Sequence, residues 1–236
     1  MSSEPGGLAT GVLLMRCPGC GNDLHGLPSD CIFLCTSCGT CLVVGETMTR
    51  VPVEFSRSAG DSLFLPFWKV EATVSIPRRV SRPPESMSTV EGPRLFDGSE
   101  RRLTEVSIPP ARCRIVFPAF ATDQALRAGV ALQDAPLRAE PPEAGSIPPV
   151  VGGSIGLEDV DPLARGVAVG VQVAARDRLA MMEVDLTVHS ATVLALGCRI
   201  EKSFLLFAGG ALTMPIASVT DLEAVRTHLR SPGGRV

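Results

Sequence analysis

The chain lacks most of the side chains that recognise nucleic-acid bases, and it lacks a run that could cross a membrane. Aromatic residues make up 4% of the 236 positions and tyrosine is absent, so stacking platforms for bases are scarce. The formal net charge of −3 provides no overall attraction to phosphate. A bilayer span needs roughly 20 uninterrupted apolar residues, and Gly209, Gly210 and Pro215 interrupt the nearest candidate, 204–219. The composition therefore predicts no membrane span.

The N-terminal residues lack the features of a secretion signal. Residues 1–11 have neither the basic start nor the apolar run of a signal peptide. Eight cysteines in a chain without such a signal indicate reduced thiols, so we expect a cytoplasmic protein. The apolar content of 45% is typical of a globular protein with a core.

Half of the eight cysteines form a doubled motif. The letters CPGCG begin at Cys17 and the letters CTSCG begin at Cys35, with fourteen residues between Cys20 and Cys35. A CxxC turn brings two thiolates to one side of a metal ion, and the following glycine permits the positive φ that turns backbone amides toward the sulfurs. Four thiolates suit a tetrahedral Zn²⁺. We therefore predict that Cys17, Cys20, Cys35 and Cys38 bind one Zn²⁺ in a zinc ribbon.

Two alternatives to a zinc site fit this motif less well. Rubredoxins bind iron with two similar loops, but their spacing is usually longer and aromatic residues surround the metal, whereas Phe33 is the only aromatic residue inside this segment. Four unrelated thiols are the other alternative, and the doubled motif disfavours them. A site closed by four thiolates has no open coordination position, so the zinc is predicted to be structural and to contribute on the order of 10 kcal/mol to folding. The gap between the motifs allows a short β-hairpin at 24–34.

The other four cysteines belong to no motif. Cys31 and Cys41 lie close to the second CxxC turn, but neither forms a CxxCG sequence of its own. We expect both to be small core residues, with a metal or redox role as the alternative. Cys113 and Cys198 lie in apolar, strand-like runs and are expected in the core.

Changes in composition divide the chain into segments and predict the α+β fold class. The expected architecture is an N-terminal four-cysteine zinc ribbon of β-hairpins, followed by a β-rich body with a few short helices. The predicted segments are a flexible tail at 1–12, the zinc ribbon at 13–45, a β-rich segment at 46–134 with a Pro/Arg-rich loop at 77–110, a Pro/Gly-rich linker at 135–156, and an α+β segment at 157–236 with a β-meander and a C-terminal helix.

Periodicity and capping signals place the individual elements. Alternation and β-forming residues predict strands at 51–55, 63–68, 70–76, 113–117, 184–188, 192–196, 204–207 and 211–216. The meander turns are expected near Ser190, at Glu201–Lys202 and at Gly209–Gly210. Helices are predicted at 122–129 with Thr122 and Gly129 as caps, from Asp161 with Leu163, Val167 and Val171 on one face, and at 221–229.

The charge of the cysteine-rich segment argues against direct nucleic-acid binding. Between residues 1 and 45 Arg16 is the only cationic side chain, against Glu4, Asp23 and Asp30. Four thiolates around one Zn²⁺ add two more negative charges, so phosphate contacts would be repelled. Direct nucleic-acid binding through the ribbon is therefore predicted to be unlikely.

The Pro/Arg-rich loop is the better candidate for an anionic partner. Its acidic residues are interspersed with the arginines, and Phe96 is the only aromatic residue available for stacking, so a solvated loop of mixed charge is the favoured interpretation. The arginines concerned are Arg78, Arg79, Arg82, Arg94, Arg101, Arg102, Arg112 and Arg114.

No catalytic motif can be named. The histidines His25, His189 and His228 lie in different regions, and the chain contains no P-loop or HExxH motif. Without a nucleophile–base pair we predict that the protein is not an enzyme.

Two short apolar motifs carry a family resemblance. The letters LPFW end at Trp68, and VFPAF spans 116–120. With its CPxCG…CxxCG cysteines the chain resembles bacterial zinc-ribbon proteins without assigned activity, in which LPFW and VPAF-like segments follow the ribbon. That resemblance implies a cytoplasmic zinc-ribbon protein and covers about the first half of the chain.

The large LPFW side chains have two physical interpretations. Burial of Phe64, Leu65, Phe67 and Trp68 could dock the ribbon on the body, which we favour because the run leads into an alternating strand. An exposed anchor for a partner is the alternative.

The expected function follows from a closed metal site, an acidic ribbon and the absence of a catalytic set. We expect a non-enzymatic protein that binds or assembles with another protein through a zinc-supported module. A transcription-associated or nucleic-acid-binding factor is the alternative.

Overall fold

The chain folds into a β-rich structure with two sheets and two α-helices in the part that the structure describes. This computed structural model describes residues 15–27, 29–57, 61, 63–82, 103–141, 147–148, 150–151, 153–174 and 178–220. The mixed content agrees with the predicted α+β class. The predicted tail at 1–12 and the final helix at 221–229 lie outside the described residues. Within those ranges, neither helix has the length and apolar character that crossing a membrane would require.

The smaller sheet is antiparallel and follows the order β1-β2-β3. Its strands are β1 at Ile32–Leu34, β2 at Cys41–Val44 and β3 at Met48–Val51. Leu34 pairs with Cys41, so β1 and β2 form a hairpin around the second cysteine motif. The hairpin predicted at 24–34 is wrong, because the chain reverses at the second motif itself and only 32–34 of that range is strand. We call residues 15–51 the N-terminal module.

The larger sheet has six strands, in the order β6-β5-β7-β8-β9, with β4 beside β7. These are β4 at Val53–Ser56, β5 at Leu63–Arg82, β6 at Thr104–Pro118, β7 at Arg178–Glu201, β8 at Phe204–Phe207 and β9 at Leu212–Pro215. All pairs are antiparallel except β4 with β7. β5 and β7 are the two longest strands and lie next to each other in the middle of the sheet.

β5 and β6 occupy both ends of the loop that was predicted at 77–110. That prediction is wrong for 77–82, which continue β5, and for 104–110, which begin β6. Residues 83–102 lie outside the described part of the chain.

Bulges accommodate the prolines that suggested a loop. In β5 the pairing with β7 shifts register between Ser75 and Arg78, on either side of Pro77. In β6 the pairing with β5 passes from Ala111 to Ile108, so that both Pro109 and Pro110 lie in an irregular stretch. β6 is an edge strand, where a missing N–H donor costs little because no further strand needs it.

β7 is one continuous strand of 24 residues rather than two strands of a meander. The turn predicted near Ser190 is wrong. The pairing of β7 with β5 passes from Ser190 to Val188, and a bulge at His189 absorbs the irregularity. The other two predicted turns are confirmed: Lys202 has a φ of 55° between β7 and β8, and Gly209 has a φ of 68° between β8 and β9.

Both helices begin at different residues from those predicted. Helix α1 is Ala125–Leu132, so Thr122 does not cap it and Gly129 lies inside it. Helix α2 is Val160–Val173 and its N-cap is Asp159.

The contact between α1 and α2 explains why glycine occurs inside the helices. A Cβ at Gly129 would lie 2.5 Å from Cγ2 of Val167, so the two helices approach more closely than a larger side chain permits. The apolar face that was predicted for α2 is correct at Val167, which is buried. It is wrong at Val171, which is 36% exposed, because Val160 and Ala164 are the other residues that the helix buries.

The LPFW side chains are buried, as the core interpretation predicted, and no exposed anchor exists there. Phe67 packs in a core with α1, β8 and β9, where its ring meets those of Phe120 and Phe207 edge to face. Trp68 packs on the opposite side of the sheet with α2 and with Ile32 of the N-terminal module. Its indole Nε1 donates to the carbonyl of Ile155 at 3.0 Å. The motif thus connects the module to the body.

The described residues of the predicted linker at 135–156 contain no helix or strand, but they contact both sheets. Glu140 and Val150 form isolated β-bridges with Phe55 and Phe64 of the larger sheet. The carbonyl of Gly153 accepts from the backbone amides of Cys31 and Ile32, at 2.6 and 3.0 Å. The segment therefore holds the N-terminal module against the body.

Candidate metal centre

The first CxxC motif forms a tight turn closed by backbone hydrogen bonds. Arg16 and Asp23 form an isolated antiparallel bridge, and the amide of Cys17 donates to the carbonyl of Asn22 at 2.8 Å. The amide of Gly21 donates to the carbonyl of Cys17 at 2.8 Å. Gly21 has a φ of 76°, a conformation that glycine adopts without strain.

The second CxxC motif repeats this geometry between β1 and β2. The amide of Cys35 donates to the carbonyl of Thr40 at 2.9 Å, and the amide of Gly39 donates to the carbonyl of Cys35 at 2.8 Å. Gly39 has a φ of 75°. The two turns are equivalent, as the doubled sequence motif indicated.

The structure brings all four predicted cysteines together. Their Sγ atoms lie within 4.8 Å of one another. The Sγ atoms of Cys17 and Cys38 are 3.6 Å apart, and those of Cys20 and Cys35 are 3.5 Å apart. A tetrahedral ion with metal–sulfur distances of about 2.3 Å has sulfur–sulfur edges of about 3.8 Å. The donor set and its spacing therefore fit a metal ion.

Each turn contributes one buried and one exposed cysteine sulfur. Cys17 and Cys35 are both 2% exposed and pack with Leu24, Phe33 and Leu42, whereas Cys20 and Cys38 are exposed. A bound ion would thus lie between a small apolar cluster and solvent.

The surroundings shift the pKa values of the thiols in opposite directions. The hydroxyl and the amide of Thr40 lower the pKa of Cys38 to about 6. Burial opposes ionisation of Cys17, but the amides of Gly19 and Cys20 outweigh it and lower the pKa. For Cys20 the amide of Asn22 favours the thiolate, yet desolvation and the neighbouring cysteines raise the pKa to about 12. Four thiolates can coexist here only if a cation offsets their repulsion.

Sequence reasoning did not identify Thr40 as part of this site. Its Oγ1 lies 3.2 Å from Sγ of Cys38. The sequence feature that could have identified Thr40 is its position two residues after Cys38, just before β2.

The remaining cysteines lie outside the cluster. Burial raises the pKa of Cys41 to about 12, and burial followed by the charge of Glu158 raises the pKa of Cys31 to about 11. The Cys31 thiol donates to the carbonyl of Gly153 at 3.1 Å. Cys198 is buried and Cys113 is partly buried. These positions agree with roles in the core. Among the described residues, none of these four cysteines belongs to a second group of side chains that could bind a metal ion.

The two histidines that the structure describes lie in different parts of the fold. His25 is exposed, and Nε2 of His189 lies 2.7 Å from Oγ1 of Thr73 on the sheet surface. His228 lies outside the described residues.

Several arginines of the predicted loop have partners within the protein. Arg78 forms an ion pair with Glu105 at 2.9 Å, and Arg79 is buried and donates to Ser81 and to the carbonyl of Gln172 at the end of α2. Arg114 donates to the carbonyl of Ala135, and Arg112 is exposed. The side chains of Arg82, Arg94, Arg101 and Arg102 lie outside the described part of the chain.

Comparisons of the chain with protein-family models, curated proteins and solved structures found no match.

Proposed function

We propose that Cys17, Cys20, Cys35 and Cys38 bind one structural Zn²⁺ in a zinc ribbon, and that the ribbon supports a non-enzymatic protein-binding or assembly module. The convergence of the four Sγ atoms within 4.8 Å carries this proposal. Thiolates are soft ligands that suit Zn²⁺. With four protein ligands the ion has no open position for water or substrate, so its role is to hold the fold.

The zinc would join two parts of the module that little else connects. The second turn is continuous with β1 and β2, whose residues Ile32, Cys41 and Val43 pack in the core with Trp68. The first turn packs through a small cluster that includes Leu24 and Phe33. Zinc would therefore fix the first turn on a sheet that the body already holds.

A surface beside the zinc ribbon suits a protein partner with basic groups. The turn between β2 and β3 and the residues just before α2 line a cavity of about 380 Å³. Glu46 and Glu158 lie in its wall, together with Thr47 and Leu157. Met48 is exposed at the same turn and could provide apolar contact area. We propose this surface as the site of protein recognition, in a cytoplasmic, reducing compartment that keeps the thiols reduced.

The alternative, nucleic-acid binding, has less support. The N-terminal module carries Arg16 and Arg50 against Asp23, Asp30 and Glu46, and a zinc–tetrathiolate centre adds two negative charges. Glu105 partly neutralises Arg78, and Arg79 and Arg114 donate to backbone carbonyls. These three arginines are therefore less available to bind phosphate.

Affinity capture with charge-reversal variants tests the proposal. The zinc-loaded wild-type chain, the variant Glu46→Lys/Glu158→Lys and the control Asp134→Lys, which alters an exposed acid beside α1, would be used as baits in lysate of the native cells. Zinc content would be measured for every bait. We expect the wild type and the control to retain a specific partner that the double variant loses at unchanged zinc content.

Two outcomes would contradict the proposal. Capture of no partner by the wild type would remove the protein-binding role. Salt-sensitive retention of nucleic acid by the wild type would favour the alternative function.

A further inference from the structure

The exposed and buried cysteines are paired across the two turns. Exposed Cys38 lies 3.6 Å from buried Cys17, and exposed Cys20 lies 3.5 Å from buried Cys35. Each short sulfur–sulfur contact therefore joins the first turn to the second, and each combines a sulfur that solvent reaches with one that it does not.

Cys31 and Cys41, which lie outside the cluster, are poorer candidates for a redox role. Cys41 is 1% exposed and Cys31 is half-buried with its thiol donating to a backbone carbonyl. Oxidation by a small reagent follows thiolate character and exposure, which Cys20 and Cys38 combine as proposed zinc ligands.

We propose that the four-cysteine centre is an oxidation site for peroxides, and that its oxidised form contains the cross-turn disulfides Cys17–Cys38 and Cys20–Cys35. The proposal rests on the proposed zinc ligation. Peroxide reaches the exposed sulfur of each pair, and the buried partner at 3.5–3.6 Å resolves the product.

The chemistry balances for each pair. The exposed thiolate attacks one oxygen of hydrogen peroxide, the O–O bond breaks, and a sulfenic acid and hydroxide form. The buried thiolate then attacks the sulfenic sulfur, the S–O bond breaks, and a disulfide and a second hydroxide form. Two electrons leave the two sulfurs and reduce the peroxide. Two peroxides therefore convert four thiolates and one bound Zn²⁺ into two disulfides, free Zn²⁺ and four hydroxides.

The pairing determines what happens to the module when the metal leaves. Cross-turn disulfides keep the first turn joined to the second, so they replace the metal as a covalent connection. Disulfides within each CxxC turn would instead leave the two turns unconnected. The geometry thus points to an oxidised module that retains its shape without zinc.

Cleavage at aspartate distinguishes the two pairings. Cleavage before Asp23, Asp30 and Asp61 places Cys17 and Cys20 on the peptide 1–22, and Cys31, Cys35, Cys38 and Cys41 on the peptide 30–60. The zinc-loaded full chain would be titrated with hydrogen peroxide, free zinc would be followed with a chromogenic chelator, and the digest would be analysed by mass spectrometry without reduction. We expect 1–22 to become linked to 30–60 as one zinc is released per two peroxides consumed.

Single substitutions provide a second test that does not need zinc binding. In Cys38→Ser we expect the remaining disulfide to join Cys20 to Cys35, which still links the two peptides, whereas pairing within the turns would join Cys17 to Cys20. The matched control Cys41→Ala removes a buried cysteine and should form both cross-turn disulfides.

Three results would overturn the proposal: unlinked peptides with internal disulfides, oxidation of Cys31 or Cys41 ahead of the cluster, or zinc retained after the other thiols are oxidised. A chain purified without metal would contradict the proposed zinc site, while the peptide linkage would still report the sulfur pairing. Failure to capture a partner would leave both readouts unaffected.

Discussion

Removal of the proposed zinc ion should release residues 15–27 while the sheet of β1, β2 and β3 stays on the body. Ordering about 13 residues costs on the order of 13 kcal/mol at about 1 kcal/mol per residue. In this segment Leu24 is buried with Cys17, and a buried leucine contributes about 2–3 kcal/mol. A structural zinc ion contributes about 10 kcal/mol or more. The segment is therefore near balance with the metal and strongly unfavourable without it.

The neighbouring sheet has its own support. Ile32, Val43 and Val51 are buried against the body, and each contributes about 1.5–3 kcal/mol. The amides of Cys31 and Ile32 also donate to Gly153. These contacts do not involve the metal, so we expect them to persist in the metal-free chain.

Hydrogen exchange followed by mass spectrometry measures the two segments separately. After dialysis against a chelator under reducing conditions, we expect amides in 15–27 to lose their protection and amides in 41–51 to keep most of theirs. Re-addition of zinc should restore the first segment. Loss of protection in both segments, or in neither, would refute the reasoning because it would show that the metal supports the whole module or none of it.

Three further predictions test the packing of the body and the buried thiols. Gly129→Ala should destabilise the protein by about 1–3 kcal/mol in urea titrations, because its Cβ would lie 2.5 Å from Val167, and adding Val167→Ala should recover much of that loss; equal losses in both backgrounds would contradict this contact. Trp68→Phe should cost about 2–4 kcal/mol, because it removes buried indole volume and takes the indole donor away from the carbonyl of Ile155; a change below about 0.5 kcal/mol, as for a surface site, would argue against the burial of Trp68. The free energy of unfolding should fall as pH rises from about 9 to about 12, because the unfolded thiol loses its proton near pH 9 while burial raises the pKa of Cys41 to about 12. Cys41→Ala should reduce that slope, and an unchanged slope would show that this thiol does not contribute.

The cysteine cluster could be predicted from sequence because its geometry is local. Each CxxCG turn places two sulfurs and a glycine after the second cysteine within five residues, and the two turns then need only to face each other. Gly21 and Gly39 adopt the positive φ angles that the motif indicated. The LPFW burial was also predictable, since large apolar side chains on alternating strands seek a core.

The continuity of the long strands could not be predicted because distant pairing decides it. Pro77 and Pro109 normally interrupt a strand, but bulges in β5 and β6 absorb them once those strands pair. Likewise a turn was predicted near Ser190, but β7 continues there and a bulge at His189 absorbs the irregularity. Such bulges depend on partners far away in the sequence.

X-ray absorption at the metal edge of purified protein, combined with elemental analysis, tests the four-cysteine centre most directly. We expect one zinc ion per chain surrounded by four sulfur atoms at about 2.3 Å. Cys35→Ser should lose the ion or replace one sulfur with oxygen, while Cys198→Ala, at a buried cysteine outside the cluster, should leave the spectrum unchanged. Protein purified with no metal, or zinc bound by nitrogen and oxygen instead of four sulfurs, would contradict the account.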